Sequence, residues 1–258
     1  MLTPAEKKWV AEYVRKNNLA IVNNQSPRVN VRTGMYPRYI KRVLDIVISF
    51  CACIVTLPIN LILGICTYFD VGSPVFFFQK RPGRNGDLFT IVKFRNMRNA
   101  YDANGIPLPI SQRVTKFGSF VRKTSLDELL NFWSILKGDM SVIGPRPLAD
   151  IYLDRYSERH KMRHAVRPGL ECPNIRTNEY GSGWHDQFEN DIWYVENISF
   201  VTDCKMVFGL IRITFDKKTR KQHAVQGPGD FLGYDTDGTA FGANNVPLKY
   251  MELLNQRD

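Results

Sequence analysis

Residues 125–136 read Ser-Leu-Asp-Glu-Leu-Leu-Asn-Phe-Trp-Ser-Ile-Leu, an apolar stretch with two adjacent carboxylates near its start. Ser125 followed three residues later by Glu128 is the pattern of a capping box, which predicts that a helix begins here. Such a helix would carry one narrow polar stripe, formed by Asp127, Asn131 and Ser134. The stretch therefore predicts a helix that is buried or lies against lipid. Its first turn holds the carboxylate pair where the helix dipole and free amides can hold a phosphate.

The composition narrows the class of partner. The chain has 258 residues and a formal net charge of +10, so it is attracted to anionic molecules. Nucleic acid, an anionic membrane surface and phosphorylated small molecules all fit that charge. The five cysteines form no CxxC pair and no zinc-ligand spacing, which favours reduced thiols in a protein that faces the cytosol.

Residues 46–69 contain no charged residue, and as a helix they would extend about 36 Å, enough to cross a bilayer. A transmembrane helix is the simple interpretation. Pro58 near the middle predicts a kink, and basic residues flank both ends, which favours a segment that enters and leaves through the same leaflet. Both alternatives stay open on the residues alone. The flanking cations are Arg38, Lys41, Arg42, Lys80, Arg81 and Arg84.

Capping and turn signals divide the remainder of the chain. A second capping box, Thr3 with Glu6, predicts a basic helix to about Lys16 that packs on the domain, followed by a linker over 23–37. A hairpin is expected from strands over 74–80 and 88–94. Further expectations are a loop over 101–112, a stiff turn over 143–147, helical stretches to His164 and over 184–212, and a loop-like tail ending in a helix over 246–254.

Cations recur beside the predicted turns and helix ends, while carboxylates are concentrated at Asp127, Glu128 and Asp191. This pattern suits a phosphate-rich ligand and a divalent metal that bridges it to carboxylates. The tripeptide Asp235-Thr236-Asp237 matches the DxD of metal-dependent glycosyltransferases, but it is frequent by chance. The basic cluster at 217–221 is best interpreted as solvated charge. The recurring cations are Lys93, Arg95, Arg122, Lys123, Arg146 and Arg167.

Nine motifs, taken in order, resemble those of the bacterial sugar transferase family, the monotopic phosphoglycosyl transferases. The similarity covers roughly residues 38–235, and its most specific parts are RKTSLDE and GPRP after a membrane segment. The tail around His223-Ala224 is similar as well. The motifs are Lys41-Arg42 with Asp45, Pro74–Phe77, Gly83–Gly86, Lys93–Arg95, Arg122–Glu128, Leu136–Ser141, Gly144–Pro147, Arg167–Gly169 and Asp191–Val195.

The resemblance implies an α+β fold that is mainly helical. It combines a re-entrant membrane helix broken at Pro58, interfacial amphipathic helices and a small β-hairpin. The implied location is the cytoplasmic membrane, monotopic and facing the cytosol. The predicted divisions are a basic N-terminal helix and linker (1–37), the re-entrant helix (38–70), a cytosolic catalytic domain (71–216) and a C-terminal tail (217–258).

The resemblance also implies a two-step reaction. Asp127 would attack the sugar-linked phosphate of a nucleotide sugar, usually a UDP-sugar, and release UMP. Polyprenyl phosphate, normally undecaprenyl phosphate, would then take the phosphosugar. Glu128, with Asp127, would hold Mg²⁺, and Asp191 would assist the metal or order the site. The implied phosphate-binding residues are Lys93, Arg95, Arg122, Arg146, Arg167 and Arg176.

Two positions depart from the family pattern. Leu57 precedes Pro58 where a serine is common, and residues 170–180 differ from the usual sequence, with Glu179 at the position expected to be arginine. Arg176 is the candidate to replace that arginine. The alternative function is therefore a catalytically altered or silent member that scaffolds a glycan-assembly complex in the membrane.

The expected partners follow from the same resemblance. They are a UDP-sugar, polyprenyl phosphate, membrane lipid and the glycosyltransferases of a polysaccharide pathway, such as capsule, O-antigen or exopolysaccharide. A homodimer stays open. The apolar segment disfavours a nucleic-acid binder, because that class presents a clustered basic face without a membrane signal.

Overall fold

The computed structural model describes residues 2–102, 105, 108–176, 183–215 and 229–256. This part of the chain is mainly helical with short strands, which confirms the α+β prediction. The helices are α1 (Pro4–Asn17), α2 (Leu19–Gln25), α3 (Lys41–Val71), α4 (Ile110–Arg113), α5 (Lys116–Lys123), α6 (Asn131–Lys137), α7 (Glu158–Lys161), α8 (Trp184–Asn197), α9 (Phe200–Phe215) and α10 (Leu248–Asn255). The strands are β1 (Phe76–Pro82), β2 (Leu88–Phe94), β3 (Ser141–Ile143), β4 (Gly169–Glu171), β5 (Phe231–Tyr234) and β6 (Ala240–Gly242).

Two compact units contain these elements. The first unit comprises Met1–Lys41, Pro82–Asp87 and Ile143–Asp258, and the second comprises Arg42–Arg81 and Leu88–Val142. The limits of these units differ from the divisions predicted at residues 37, 70 and 216. In particular, the N-terminal helix and the C-terminal tail belong to the same unit.

Helix α1 packs on the β5–β6 hairpin in the first unit. Its predicted capping box is present, because Thr3 and Glu6 exchange hydrogen bonds at the start of the helix. A Cβ atom on Gly233 would lie 2.5 Å from Val14 Cγ2, so a glycine is needed where the strand meets the helix. The prediction of packing on the domain is confirmed. The prediction of a loop-like tail is wrong, because β5 and β6 form an antiparallel pair. This pair contacts α1, which is distant in sequence.

Aromatic side chains form much of the core of the first unit. Phe231 lies with its ring centroid 5.0 Å from that of Phe188, in an edge-to-face arrangement that aromatic pairs prefer. The larger buried cluster consists of Val22, Tyr152, Tyr156, Trp184, Phe188, Phe231, Tyr234 and Ala240.

Two predicted helical stretches are interrupted. The stretch to His164 contains only short turns and α7, and the stretch over 184–212 divides into α8 and α9. The division follows Ile198, because the Ser199 hydroxyl accepts the backbone N–H of Thr202 and so starts a new helix. The predicted linker also contains the end of α2, and the predicted loop over 101–112 contains the start of α4. The basic cluster at 217–221 and the motif at His223-Ala224 lie outside the described residues.

Helix α3 dominates the second unit. Within the described residues, the helical segment Tyr36–Val71 is long and apolar enough to cross a membrane. The structure has one helix, α3, across Pro58. The kink and the re-entrant path predicted from Pro58 stay predictions. Pro58 has no backbone N–H to donate within the helix. Two residues earlier, the Thr56 hydroxyl donates to the Ala52 carbonyl at 2.8 Å.

The polar and apolar sides of α3 are reversed relative to a helix of a water-soluble protein. Asp45, Ser49, Thr56 and Thr67 are buried, whereas large apolar side chains are exposed. A surface of this kind is suited to lipid. The exposed apolar residues include Phe50, Ile54, Val55, Leu57, Leu61, Ile62, Ile65 and Phe69.

The predicted hairpin is confirmed as the two-stranded sheet β1–β2. Its connection contains a 3₁₀ turn over Arg84–Gly86, as the Arg-Asn-Gly-Asp sequence predicts. Leu63 of α3 packs with Phe94 of β2 and Val121 of α5, so the hairpin lies against the apolar helix within the second unit.

Candidate active site

The Asp127–Glu128 pair lies in a tight turn of the second unit and not in the first turn of a capped helix. Ser125 has a φ of 55°, and its side chain makes no capping hydrogen bond, so the predicted capping box is wrong. Ser125 ends the helix before it, because its N–H bonds to the Arg122 carbonyl. A 3₁₀ turn over Leu126–Glu128 follows, and regular helix begins only at Asn131.

The left-handed conformation of Ser125 has an energetic consequence. A non-glycine residue with positive φ costs on the order of 1–2 kcal/mol, and such strain is concentrated at functional sites. Here the strained residue turns the chain so that Asp127 and Glu128 follow directly after the basic end of α5. The 3₁₀ turn packs against both α5 and β2.

Glu128 is held by Lys93. The Lys93 Nζ atom lies 2.8 Å from Glu128 Oε1, and both side chains are about one-fifth exposed. Lys93 comes from the last residues of β2, so tertiary contact brings a strand cation to a turn 35 residues later in the chain. A charge-assisted hydrogen bond of this kind orients the carboxylate and keeps a cation next to the pair.

Asp127 is buried more deeply than Glu128 and is 7% exposed. Burial raises the pKa of its carboxyl, the Lys93 ammonium opposes that rise, and the Glu128 carboxylate adds to it. Arg122 lowers the pKa as well. Within the described residues, no ion pair joins Asp127 to a cation, so its charge is balanced by neighbouring cations without a fixed partner.

The other predicted cations of the second unit have different surroundings. Arg122 is exposed and lies in the last turn of α5, with its Nη2 atom 3.8 Å from Met97 Sδ. Arg95 follows the end of β2 and donates to the Val71 and Gly72 carbonyls at the end of α3. Lys93 and Arg95 therefore have different partners, and the strand ends between them.

The polar stripe of the opening stretch is confirmed. Asp127, Asn131 and Ser134 are all buried, whereas Trp133 is 60% exposed. The Asn131 Oδ1 atom is buried without a hydrogen-bond partner among the described residues. The polar side chains of this segment therefore face the protein, while the apolar Trp133 is exposed.

The first unit holds the remaining predicted residues. The GPRP turn and the RPG turn cross each other, so closely that a Cβ atom on Gly169 would lie 2.1 Å from the Gly144 nitrogen. Only glycine allows this approach of two backbones. Arg167 belongs to this crossing through its backbone, and Arg146 leaves it to bond Glu171 Oε2 at 3.1 Å and the Leu170 carbonyl at 3.2 Å.

Asp191 lies in the core of the first unit. It is 1% exposed and accepts two hydrogen bonds from the Arg163 guanidinium, at 2.9 and 2.6 Å. Although burial alone disfavours a charged guanidinium, Asp191 raises the pKa of Arg163. The bond to Arg163 gives Asp191 an ordering role in the core. Arg163 received no role from the sequence, because nothing local indicates a buried cation 28 residues from its partner.

Arg176 stacks on an aromatic ring of the same unit. Its Cζ atom lies 5.7 Å from the centroid of Trp193, within the range of a cation–π contact. The departure from the family pattern at Glu179 falls on residues 177–182, which lie outside the described residues.

The donor set near Asp127 fits the expected Mg²⁺. The described residues contain no group of three or more potential metal-binding side chains. Magnesium needs few of them, since it is usually held by one or two carboxylates together with substrate phosphates. The adjacent oxygen donors of Asp127 and Glu128 suit it. Asp235 of the DxD tripeptide, in contrast, accepts a hydrogen bond from Tyr250 at 2.8 Å and forms an ion pair with Lys249.

A carboxylate pair among cations, on a segment whose outer side is apolar, is typical of an enzyme that handles phosphates at a membrane. Residues 36–217 match the family model described as bacterial sugar transferase. That match covers more than half of the chain, so the protein belongs to the bacterial sugar transferase family.

Individual relatives agree with the family. An uncharacterised sugar transferase, EpsL of Bacillus subtilis (strain 168), is 40% identical over 173 residues, which cover 67% of this chain and 86% of the relative. The UDP-N-acetylgalactosamine-undecaprenyl-phosphate N-acetylgalactosaminephosphotransferase of Aeromonas hydrophila is 34% identical over 182 residues, which cover 67% of this chain and 43% of that protein. The exopolysaccharide production protein PSS of Rhizobium leguminosarum bv. phaseoli is 32% identical over 187 residues, which cover 67% of this chain and 93% of the relative.

Proposed function

We propose that the protein transfers a sugar 1-phosphate from a nucleotide sugar to undecaprenyl phosphate or a similar polyprenyl phosphate, with Asp127 as the nucleophile. The observation that carries the proposal is the environment of Asp127, a buried carboxylate that lies near Lys93, Arg122 and Glu128 and forms no ion pair among the residues that the structure describes. The relative from Aeromonas hydrophila, whose name states this type of reaction, supports the substrates. The matched segment covers less than half of that relative.

In the first step, a carboxylate oxygen of Asp127 attacks the sugar-bearing phosphorus of a UDP-sugar. The bond from that phosphorus to the bridging oxygen breaks, and its electron pair leaves with UMP. The product on the protein is an acyl phosphate that carries the sugar. Lys93 and Arg122 are placed to stabilise the negative charge that builds on the phosphoryl oxygens.

In the second step, a phosphate oxygen of the polyprenyl phosphate attacks the same phosphorus. The bond to Asp127 breaks, the carboxylate is restored, and the sugar leaves as a polyprenyl diphosphate. The exposed apolar side of the segment that includes Trp133 supports this step, because the lipid acceptor has to reach a carboxylate at headgroup depth. A product of this kind is the starting point for the glycosyltransferases of a polysaccharide pathway.

Glu128 and Asp127 would hold Mg²⁺, which supplies charge neutralisation for the diphosphate when it is bound. The ion pair with Lys93 orients the Glu128 carboxylate. Arg95, Arg146, Arg167, Arg176 and Asp191 stay predictions as ligands of the substrate or the metal.

We also propose that α3 enters and leaves the membrane on the cytosolic side. Both of its ends make polar contacts with the same unit. Near the start, Asp45 accepts from the Ser141 hydroxyl at 2.9 Å and from the Val142 N–H at 3.0 Å. Near the end, Asp70 accepts from the Thr115 hydroxyl. The partners of Asp45 and Asp70 all lie within residues 115–142, which contain no helix that could cross a bilayer. These partners therefore belong on one side of the membrane, which favours entry and exit of α3 through the same face.

The reaction is tested by measuring UMP release from a panel of UDP-sugars supplied with undecaprenyl phosphate and Mg²⁺. Asp127→Asn is expected to lower the rate on the order of 10³-fold or more, because the nucleophile is lost. Asp102→Asn, at an exposed carboxylate of the same unit, serves as the control and should keep the rate. Turnover by wild-type protein excludes the silent scaffold, and turnover by Asp127→Asn would refute the assignment of the nucleophile.

The topology is tested by single cysteines on the two flanks of α3. Tyr39→Cys and Lys80→Cys, both at exposed positions, are introduced after the native cysteines are replaced by serine. A membrane-impermeant maleimide added to right-side-out cells should label neither position, and both should react in inverted vesicles. Labelling of one site from each side would show that the helix spans the membrane.

A further inference from the structure

A cleft of about 440 Å³ opens on the first unit between α8, the start of α9 and two extended segments. We call it the basic cleft, because cations from three different parts of the chain contribute to its lining. The residues that line it include Arg32, Arg176, Trp193, Glu196, Thr202 and Lys205.

The charges in the basic cleft do not cancel. Arg32, Arg176 and Lys205 are exposed, and none of them forms an ion pair with a residue in the described part of the chain. Among the described residues that line the cleft, the carboxylate is Glu196, which accepts the backbone N–H of Asn30 at 3.1 Å. The cleft therefore keeps a positive balance that suits a phosphate group.

The walls of the cleft are ordered by contacts within the unit. The Arg32 N–H bonds to the Val195 carbonyl at 3.0 Å, which fixes the extended N-terminal segment along α8. Arg176 is held over the Trp193 ring. The Thr202 hydroxyl donates to the Asn197 carbonyl at 2.8 Å and so fixes the junction between α8 and α9, which lines the cleft.

The cleft lies at the edge of an apolar surface on α9. Phe200, Val201 and Phe208 are exposed on one side of this helix, and Ile211 extends that side. Lys205 is four residues after Val201 and three before Phe208, so it lies beside the apolar stripe, while Thr202 points inward. If the stripe contacts acyl chains, Lys205 reaches back to the level of the headgroups.

We propose that the basic cleft binds the phosphate headgroup of an anionic phospholipid. Lipid is favoured over a soluble anion because the cations border an apolar helix face and because Trp193 has the character of a side chain at a membrane interface. The inference goes beyond the proposed reaction and does not involve Asp127, and it assigns Arg176 to the lipid headgroup in place of the substrate. Its function would be to hold α9 at the surface of an anionic membrane.

The test measures the thermal stability of the full-length protein in detergent, with added short-chain phosphatidylglycerol or short-chain phosphatidylcholine. Arg32→Gln/Arg176→Gln/Lys205→Gln removes the three cations of the cleft. Lys8→Gln/Lys16→Gln/Lys161→Gln removes three exposed cations of the same unit outside the cleft and serves as the matched control. Uridine monophosphate and inorganic phosphate are added in separate arms.

Phosphatidylglycerol should raise the melting temperature of the wild type and of the control more than phosphatidylcholine does. The cleft variant should need roughly tenfold or more phosphatidylglycerol for the same shift. Equal shifts for the two triple variants would overturn the proposal. Stabilisation by uridine monophosphate or phosphate that the cleft variant loses and the control variant keeps would overturn it in favour of a soluble ligand. Asp127→Asn should keep the phosphatidylglycerol response, so loss of the reaction and loss of the lipid site are distinguishable.

Discussion

Asp127 and Asp191 are both buried aspartates, but their surroundings differ. Burial raises the pKa of each carboxyl, and a nearby cation opposes that rise in each case. Asp191 is bonded to Arg163 by two guanidinium N–H groups, whereas no described ion pair holds Asp127. A buried carboxylate with a fixed cation stabilises a fold. A buried carboxylate balanced only by neighbouring cations keeps its lone pairs for a substrate.

Among the variants that test this difference, Asp191→Asn should have the largest effect, a loss of unfolding free energy. Removing one partner of a buried ion pair leaves the Arg163 charge uncompensated, which should cost about 3–5 kcal/mol of unfolding free energy. Denaturant unfolding of the detergent-purified protein measures it. Asp127→Asn should show no such loss. If Asp191→Asn unfolds like the wild type but has lost activity, Asp191 belongs to the reaction and the contrast is wrong.

Gly169→Ala should have the next largest effect. Its Cβ atom would lie 2.1 Å from the Gly144 nitrogen, so the crossing of the two turns that orient Arg146 has to open, at about 3 kcal/mol. Gly209→Ala is the matched control, because its Cβ atom would meet Pro173 Cβ at an ordinary 3.5 Å. Unfolding free energies of the two variants are compared directly. Equal values would show that the crossing is not constrained.

Lys93→Gln removes the cation between Glu128 and the substrate phosphates. Loss of a charge-assisted contact worth about 1.5–3 kcal/mol should lower the rate of UMP release roughly 10- to 100-fold. Lys93→Arg keeps the charge and should recover part of the rate, while Lys80→Gln, at an exposed position on the same hairpin, should leave it unchanged. A wild-type rate for Lys93→Gln would remove Lys93 from the site.

The smallest expected effect is a pH-dependent change of stability. Because burial raises the folded-state pKa of Asp127 above its ordinary value, ionisation of this carboxyl disfavours the fold. The penalty is absent below the ordinary aspartate pKa, grows as the pH rises above that value, and is complete once the pH exceeds the folded-state pKa. Asp127→Asn should therefore melt at a higher temperature than wild type at pH 7, and the difference should shrink as the pH is lowered toward 4. A variant that is less stable at pH 7 would show that the charge is fully compensated.

The sequence predicted which residues of the 125–136 segment share a side better than it predicted the local backbone. The polar stripe of Asp127, Asn131 and Ser134 was predictable, since three residues at helical spacing share a side even when the first turn is 3₁₀. The capping box at Ser125 was not, because the same residue also follows the end of α5 and takes the left-handed conformation that terminates it. Sequence patterns cannot decide which of two neighbouring helices uses a shared residue.

Other parts of the fold depend on partners far away in the chain. The β5–β6 hairpin was missed, because Gly233 and its neighbours form a strand only against α1, more than 200 residues earlier. The partners of the predicted cations also depend on the tertiary structure. Lys93 and Arg95 were both predicted to bind phosphate. In the structure, Lys93 bonds Glu128, and Arg95 bonds carbonyls at the end of α3.

Sequence alone determined the apolar membrane segment, the hairpin, the family and the two adjacent carboxylates, because hydropathy, turn chemistry and motif spacing are local properties of the chain. Tertiary structure decided the surroundings of those carboxylates. Burial of Asp127, the bond from Lys93 to Glu128 and the pairing of Asp191 with Arg163 all join residues that are distant in sequence. Desolvation and charge pairing act through space, so only the folded chain distinguishes the aspartate that we propose as the nucleophile from the aspartate that is paired with Arg163 in the core.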